Sequence, residues 1–191
     1  MKNRQGNLRR IIDIGMTVLL LLQMAYQVMG EAAHSDALVV YFSCTGTTKG
    51  VAEKLANVTG ADLYEIVPAQ PYTAEDLNYN DRSTRATSEQ DHPDTRPEIG
   101  GEDVDLTGYS TIYIGYPIWW GEEPRILCTF VENHDFTDKT VIPFCTSGGS
   151  GIGRSGDDLA KLAGTGTWLE GARHNGSISE SKLSAWVDGL K

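Results

Sequence analysis

The hydrophobic positions of this chain fall into short unbroken runs, separated by segments in which apolar residues return every three or four places. The run ALVVYF at 37–42 is β-branched and aromatic and leads at once into Ser-Cys-Thr-Gly-Thr-Thr, a pattern that predicts a buried strand ending in a loop. Val51, Leu55 and Val58, with Ala52 and Ala56, then recur at helical spacing as far as Gly60, which predicts a helix and its stop. Further strands are predicted at 63–67, 111–116 (TIYIGY), 140–145 (TVIPFC) and 167–169, and helices at 124–132, 156–162 and 179–190. Strands alternating with helices build βαβ units, and so a parallel sheet covered on both faces. Pro143 is awkward inside the fourth run, because proline cannot donate to a sheet ladder. The alternation lapses at 71–101, a polar, turn-rich stretch of the kind that forms functional or lid-like loops in compact domains.

The first 34 residues follow another pattern. The 19 residues at 11–29, IIDIGMTVLLLLQMAYQVM, are mostly apolar and at about 1.5 Å each match the hydrocarbon thickness of a bilayer. They predict an N-terminal hydrophobic helix that anchors the protein in a membrane. Asp13, Gln23 and Gln27 weaken that reading. The stretch 14–22, free of acids and amides, has the length of a signal-peptide core, with Gly30 and Ala32 as small residues for cleavage and export. A peripheral helix is a third alternative. The chain thus divides into a cationic segment, 1–34, and a body, 35–191. Charge bias about the helix places the body outside the cytoplasm. The odd, scattered set Cys44, Cys128 and Cys145 suits a reducing interior, so the side of the membrane stays open.

Charge then narrows the function. The chain carries 26 acidic and 16 basic side chains, net −10. Residues 1–34 hold Lys2, Arg4, Arg9 and Arg10 against Asp13 and Glu31, which leaves the body with 12 basic and 24 acidic groups, net −12. Such a body is unsuited to neutralising a phosphate backbone, which argues against nucleic acid as a partner. Apolar and charged shares of 40% and 22% exclude wholesale disorder.

In open α/β sheets, ligands bind beyond the carboxyl ends of the strands, so the post-strand loops hold the candidate chemistry. Ser43, Thr45, Gly46, Thr47 and Thr48 bring hydroxyls and a glycine to a helix N-terminus, where amides and dipole favour an anion such as a phosphate monoester; the alternative is a hydroxyl-rich cap. Pro117, Ile118, Trp119, Trp120 and Gly121 follow the third strand. Two adjacent loop tryptophans cannot both enter one core, so a flat ring to stack on is the natural partner, unless one is core and the other interface. The fourth strand leads into Thr146, Ser147, Gly148, Gly149 and Gly151. Five of the chain's 21 glycines lie at 148–156, where backbone amides can approach a ligand closely or the connection is merely flexible. A Walker-type loop fails because Lys49 precedes Gly50. The G-x-G-x-x-G at 151–156 starts six residues past its strand, and a phosphatase-type loop around Cys44 lacks its arginine at position 50.

The blocks YFSCTGTTKGVAEKLA, PYTAEDLNYNDRSTRAT, GYPIWWGEEPRIL and PFCTSGGSGIGRS resemble, in order, those of the flavodoxin-like family of bacterial FMN-binding proteins, over 37–190. The resemblance implies a doubly wound five-stranded parallel sheet of order 2-1-3-4-5 in an α/β/α sandwich, with FMN as cofactor. It assigns the phosphate to the first loop, the ribityl chain and ring to the second, and the flavin edge to the third. Tyr79 is a candidate cover residue. The phosphate would be held without arginine, with Lys49 on the helix surface. A backbone group near Gly121 or Gly148 would bond the flavin N5. The leader RRIIDIGMTVLLLLQMAYQVMGEAAH resembles the first helix of small membrane cytochrome-like domains, but His34 has no second histidine nearby to complete a haem site.

The expected function is FMN-based electron transfer to a redox partner bearing a basic docking patch. One alternative is an FMN-dependent NAD(P)H:quinone or flavin reductase using 71–101 as part of its substrate pocket. The other is a flavin-free membrane-tethered interaction module.

Overall fold

The computed structural model describes residues 35–190. The helix expected at 11–29, the small residues Gly30 and Ala32, and His34 lie outside them. None of the described helices is long and apolar enough to cross a membrane.

The elements run β1 (Ala37–Tyr41), α1 (Thr47–Thr59), β2 (Asp62–Glu65), β3 (Val67–Pro68), α2 (Arg85–Asp91), β4 (Ile99–Gly100), β5 (Thr111–Pro117), α3 (Arg125–Asn133), β6 (Thr140–Thr146), α4 (Ser155–Ala163), β7 (Thr167–Trp168), β8 (Ala172–His174) and α5 (Glu180–Asp188). The main sheet is parallel throughout, in the order β2-β1-β5-β6, with β7 and β8 both on the far side of β6. This is the expected 2-1-3-4-5 order.

Alternation along the central strands builds two cores. Leu38 and Val40 of β1, Ile112, Ile114 and Tyr116 of β5, and Val141 and Cys145 of β6 face α3 and α4, where they meet Ile126, Phe130 and Leu159. Val39, Tyr41, Tyr113, Ile142 and Phe144 face the other way, onto Val51, Leu55 and Leu183 of α1 and α5. The period-2 pattern of a strand buried on both faces therefore specifies the three layers. Gly115 is required beneath Phe144, whose ring would lie 2.2 Å from any Cβ at that position. Gly60 ends α1 in the left-handed conformation, its N–H bonded to the Ala56 carbonyl.

Three expectations are corrected. The strand foreseen at 63–67 is two: β2 ends at Glu65, and Val67–Pro68 pairs antiparallel with β4 (Ile99–Gly100) in a separate ribbon. That ribbon clamps the base of 69–98. This segment is no structureless loop, for it carries α2, capped by Thr84, whose side chain accepts from the Thr87 amide. The fifth strand is split. Thr140 donates to the β5 side and Val141 accepts from Leu169 on the β7 side, so by alternation the missing donor of Pro143 also faces outward. Pairing there stops after Trp168 and resumes at Ala172. The proline is accommodated in a central strand because its neighbour breaks opposite it.

Candidate functional site

A cavity of about 710 Å³ opens past the carboxyl ends of β1, β5 and β6. The strand order reverses between β1 and β5, and the divergence of the following loops leaves a crevice there. A hollow of about 850 Å³ lies at the opposite edge, by 103–110 and 133–139, but its Asp105 and Asp135 carboxylates are engaged by Thr107 and Thr137 at 2.6 to 2.9 Å.

Ser43, Thr45, Thr47 and Thr48 line the first wall of the cavity. Gly46 lies outside the lining, and its role is conformational: at φ +82° it is the N-cap of α1. No side chain caps this helix and its first turn has no acid, so the positive end of the dipole faces the cavity uncompensated. Thr48 Oγ1 lies 2.9 Å from Thr146 Oγ1 in a buried contact, and Thr45 Oγ1 lies 3.4 Å from Thr47 Oγ1. The Ser43 hydroxyl is buried without a hydrogen-bond partner. Lys49 sits on the surface as expected, 3.6 Å from Glu65. Cys44 also lines the cavity, but burial pushes its thiol up to about 12, so it is no thiolate nucleophile.

Pro117, Ile118, Trp119 and Trp120 form the second wall. Trp119 and Glu122 exchange backbone hydrogen bonds of 2.9 and 3.0 Å, with Trp120 at φ 50° and Gly121 at φ 90°. Both central residues have positive φ, as in a two-residue type I′ turn, which is why a glycine stands at 121. Gly121 shapes the turn but does not line the cavity. The turn separates the two tryptophans. Trp119 packs edge-on against Phe42 and Tyr72, at 5.6 and 5.2 Å between ring centroids, whereas Trp120 is 40% exposed at the cavity.

A polar cluster from 69–98 holds this turn in place. Gln90 Nε2 donates to the carbonyls of Trp119 (2.9 Å) and Glu123 (3.1 Å), and Arg125 donates to the Gln90 carbonyl (3.0 Å) and to Glu122 (2.6 Å). The Glu123 carboxyl, buried 3.6 Å from Arg125, is pushed up by burial. Arg85 lies 4.0 Å over the Tyr72 ring and pairs with Glu89, which accepts from the Tyr72 hydroxyl. From the same segment, Leu77, Tyr79 and Ala86 reach the cavity, Tyr79 being 74% exposed.

Thr146, Ser147 and Gly148 line the third wall. Gly149 and Gly151, foreseen with them, are exposed and outside the lining. The loop is braced internally, Ser147 Oγ donating to the Ser150 carbonyl. Arg173, Asn175 and Gly176, which close the cavity after β8, were not foreseen. A three-residue strand is too short for periodicity to reveal, and only the Asn175-Gly176 turn pair marks the place. Arg173 brings an arginine to the cavity lining, where its Nη2 donates to the Ser147 carbonyl at 2.9 Å.

A doubly wound α/β domain with a hydroxyl-rich helix terminus and an exposed tryptophan at its switch point belongs among the nucleotide-type binders. Residues 36–190 match the flavodoxin family, and the chain belongs to it. It is 45% identical to a candidate flavoprotein from Bacteroides eggerthii, over 81% of this chain and 96% of that one, with a TM-score of 0.76. A candidate flavoprotein from Bacteroides uniformis is 41% identical, over 80% and 97%, also at 0.76. A flavoprotein from Lactobacillus acidophilus, solved in complex with FMN, is 24% identical over 81% and 97%, with a TM-score of 0.60, and shares the fold. No curated protein matches the chain.

Proposed function

We propose that this protein is an FMN-binding electron carrier. The observation that carries the reading is the pairing of an uncapped α1 terminus and the unpartnered Ser43 hydroxyl with the exposed Trp120 across one cavity. The residues fit the group. A phosphate monoester needs donors, and Ser43, Thr45, Thr47 and Thr48 offer hydroxyls beside the free end of a helix dipole. A planar ring needs a face, and Trp120 offers one. FMN, when bound, supplies the electron-accepting and electron-donating ring. The chain's part is to hold the phosphate, flank the ring with Trp120 and Tyr79, and set the field around it. The body's net −12 disfavours further negative charge in the cavity and steers the protein to a basic patch on a redox partner, with weaker association at high salt. On this reading residues 11–29 tether the carrier to a membrane.

The test is titration of the apoprotein with FMN by flavin fluorescence, followed by assay with NAD(P)H and a quinone. Saturable FMN binding without turnover, until a separate reductase is added, is the expected result. Turnover by the protein alone would make it a reductase, and absence of FMN binding would reduce it to an interaction module.

A further inference from the structure

We propose that Arg173 is the charged arm of the phosphate end of the cavity and sets a preference for FMN over riboflavin. The inference rests on the reading of the cavity as a flavin site. Arg173 is the one charged side chain among the residues lining the cavity, and among the described residues no carboxylate pairs with it. Of the other cations, Lys49 is engaged with Glu65, Lys54 with the Ile178 carbonyl and Arg85 with Glu89, and Lys182 does not line the cavity.

Two contacts bring the 173–176 turn toward the first loop, where the phosphate would sit. Arg173 Nη2 is bonded to the carbonyl of Ser147, the residue after Thr146, whose hydroxyl meets that of Thr48 in the first turn of α1. Three residues on, Gly176 packs so closely on Thr47 that a Cβ there would lie 2.7 Å from its Cγ2. One end of the 173–176 turn therefore abuts the hydroxyl loop directly, and the other is bonded one residue from the Thr146 hydroxyl that meets Thr48. Arg173 also borders an adjoining hollow of about 330 Å³, whose lining it shares with Asn175 and Lys182. Its Nη2 is spent on Ser147, while a guanidinium has further N–H donors in a fixed fork suited to phosphate oxygens.

The experiment measures FMN and riboflavin affinities of the apoprotein, by fluorescence quenching, for the parent, Arg173→Gln and Arg173→Lys, with urea unfolding as a control on folding. Arg173→Gln should weaken FMN about tenfold, in line with loss of a charge-assisted contact at an exposed position, and leave riboflavin within about twofold. Arg173→Lys should recover part of the FMN loss. Equal weakening of both ligands by Arg173→Gln, or no weakening of FMN, overturns the assignment while leaving the flavin reading intact. A parent that binds neither flavin overturns both.

Discussion

Thr48 and Thr146 meet hydroxyl to hydroxyl at 2.9 Å, both buried, and so lock the first turn of α1 to the end of β6. Two cavity walls, separated by 98 positions in sequence, are thereby fixed to one another before any ligand arrives. Replacing Thr45 and Thr48 together with Ala should weaken FMN far more than riboflavin, because phosphate donors are lost and ring contacts are kept. Thr48→Ala alone also strands the Thr146 hydroxyl, which should cost about 1–3 kcal/mol in urea unfolding. Equal loss of affinity for the two ligands would remove the phosphate from this loop.

The two tryptophans should separate cleanly in experiment. Trp120→Ala should relieve flavin fluorescence quenching and shift the flavin potential with little effect on unfolding. Trp119→Ala should cost about 2–4 kcal/mol, somewhat below the value for a wholly buried aromatic, since its ring fills the space between Phe42 and Tyr72. Unchanged quenching in Trp120→Ala would mean that this ring does not stack on the flavin.

Gly115→Ala should destabilise the fold by about 2–3 kcal/mol, because the new methyl collides with the Phe144 ring. The double variant Gly115→Ala with Phe144→Leu should be less unstable than the sum of the two single changes. Additive effects in chemical denaturation would show that the collision is not the cause.

His174 gives a pH dependence with a defined sign. It is 6% exposed, its Nε2 has no partner, its ring lies 4.6 Å from that of Trp186, and burial lowers its pKa below the ordinary histidine value. The unfolded chain thus takes up a proton near pH 6.5 that the folded chain still refuses. Stability should be fully present above that pH and fall as the pH drops below it. His174→Phe should flatten this part of the profile of urea midpoints between pH 7.5 and 5. An unaltered slope would place the proton uptake elsewhere.

The parts of the molecule legible in the sequence are those that repeat a period. ALVVYF, TIYIGY and TVIPFC read as buried strands because every residue finds a core on one face or the other, and the Val51-Leu55 spacing reads as a helix for the same reason. Helix α2 was hidden because three of its four buried side chains are polar, Thr87 meeting Thr84, Glu89 meeting Tyr72 and Arg85, and Gln90 the Trp119 carbonyl, instead of forming an apolar stripe. The exposed tryptophan could not be chosen from composition, since the choice depends on positive φ at 120 and 121. Arg173 was hidden by the brevity of β8.

The break opposite Pro143 has a consequence beyond accommodating a proline. An uninterrupted fifth strand would present an open ladder of amides and carbonyls, a template on which another chain could add and aggregate. Here the outer edge consists of a two-residue piece and a three-residue piece, shifted by one residue in their register on β6, with Gly171 between them against Pro143. The break interrupts the template that a foreign strand would need. The same interruption that ends the sheet also brings the chain back beside β6 at the rim of the cavity, so one defect both closes the border and delivers Arg173 to the site.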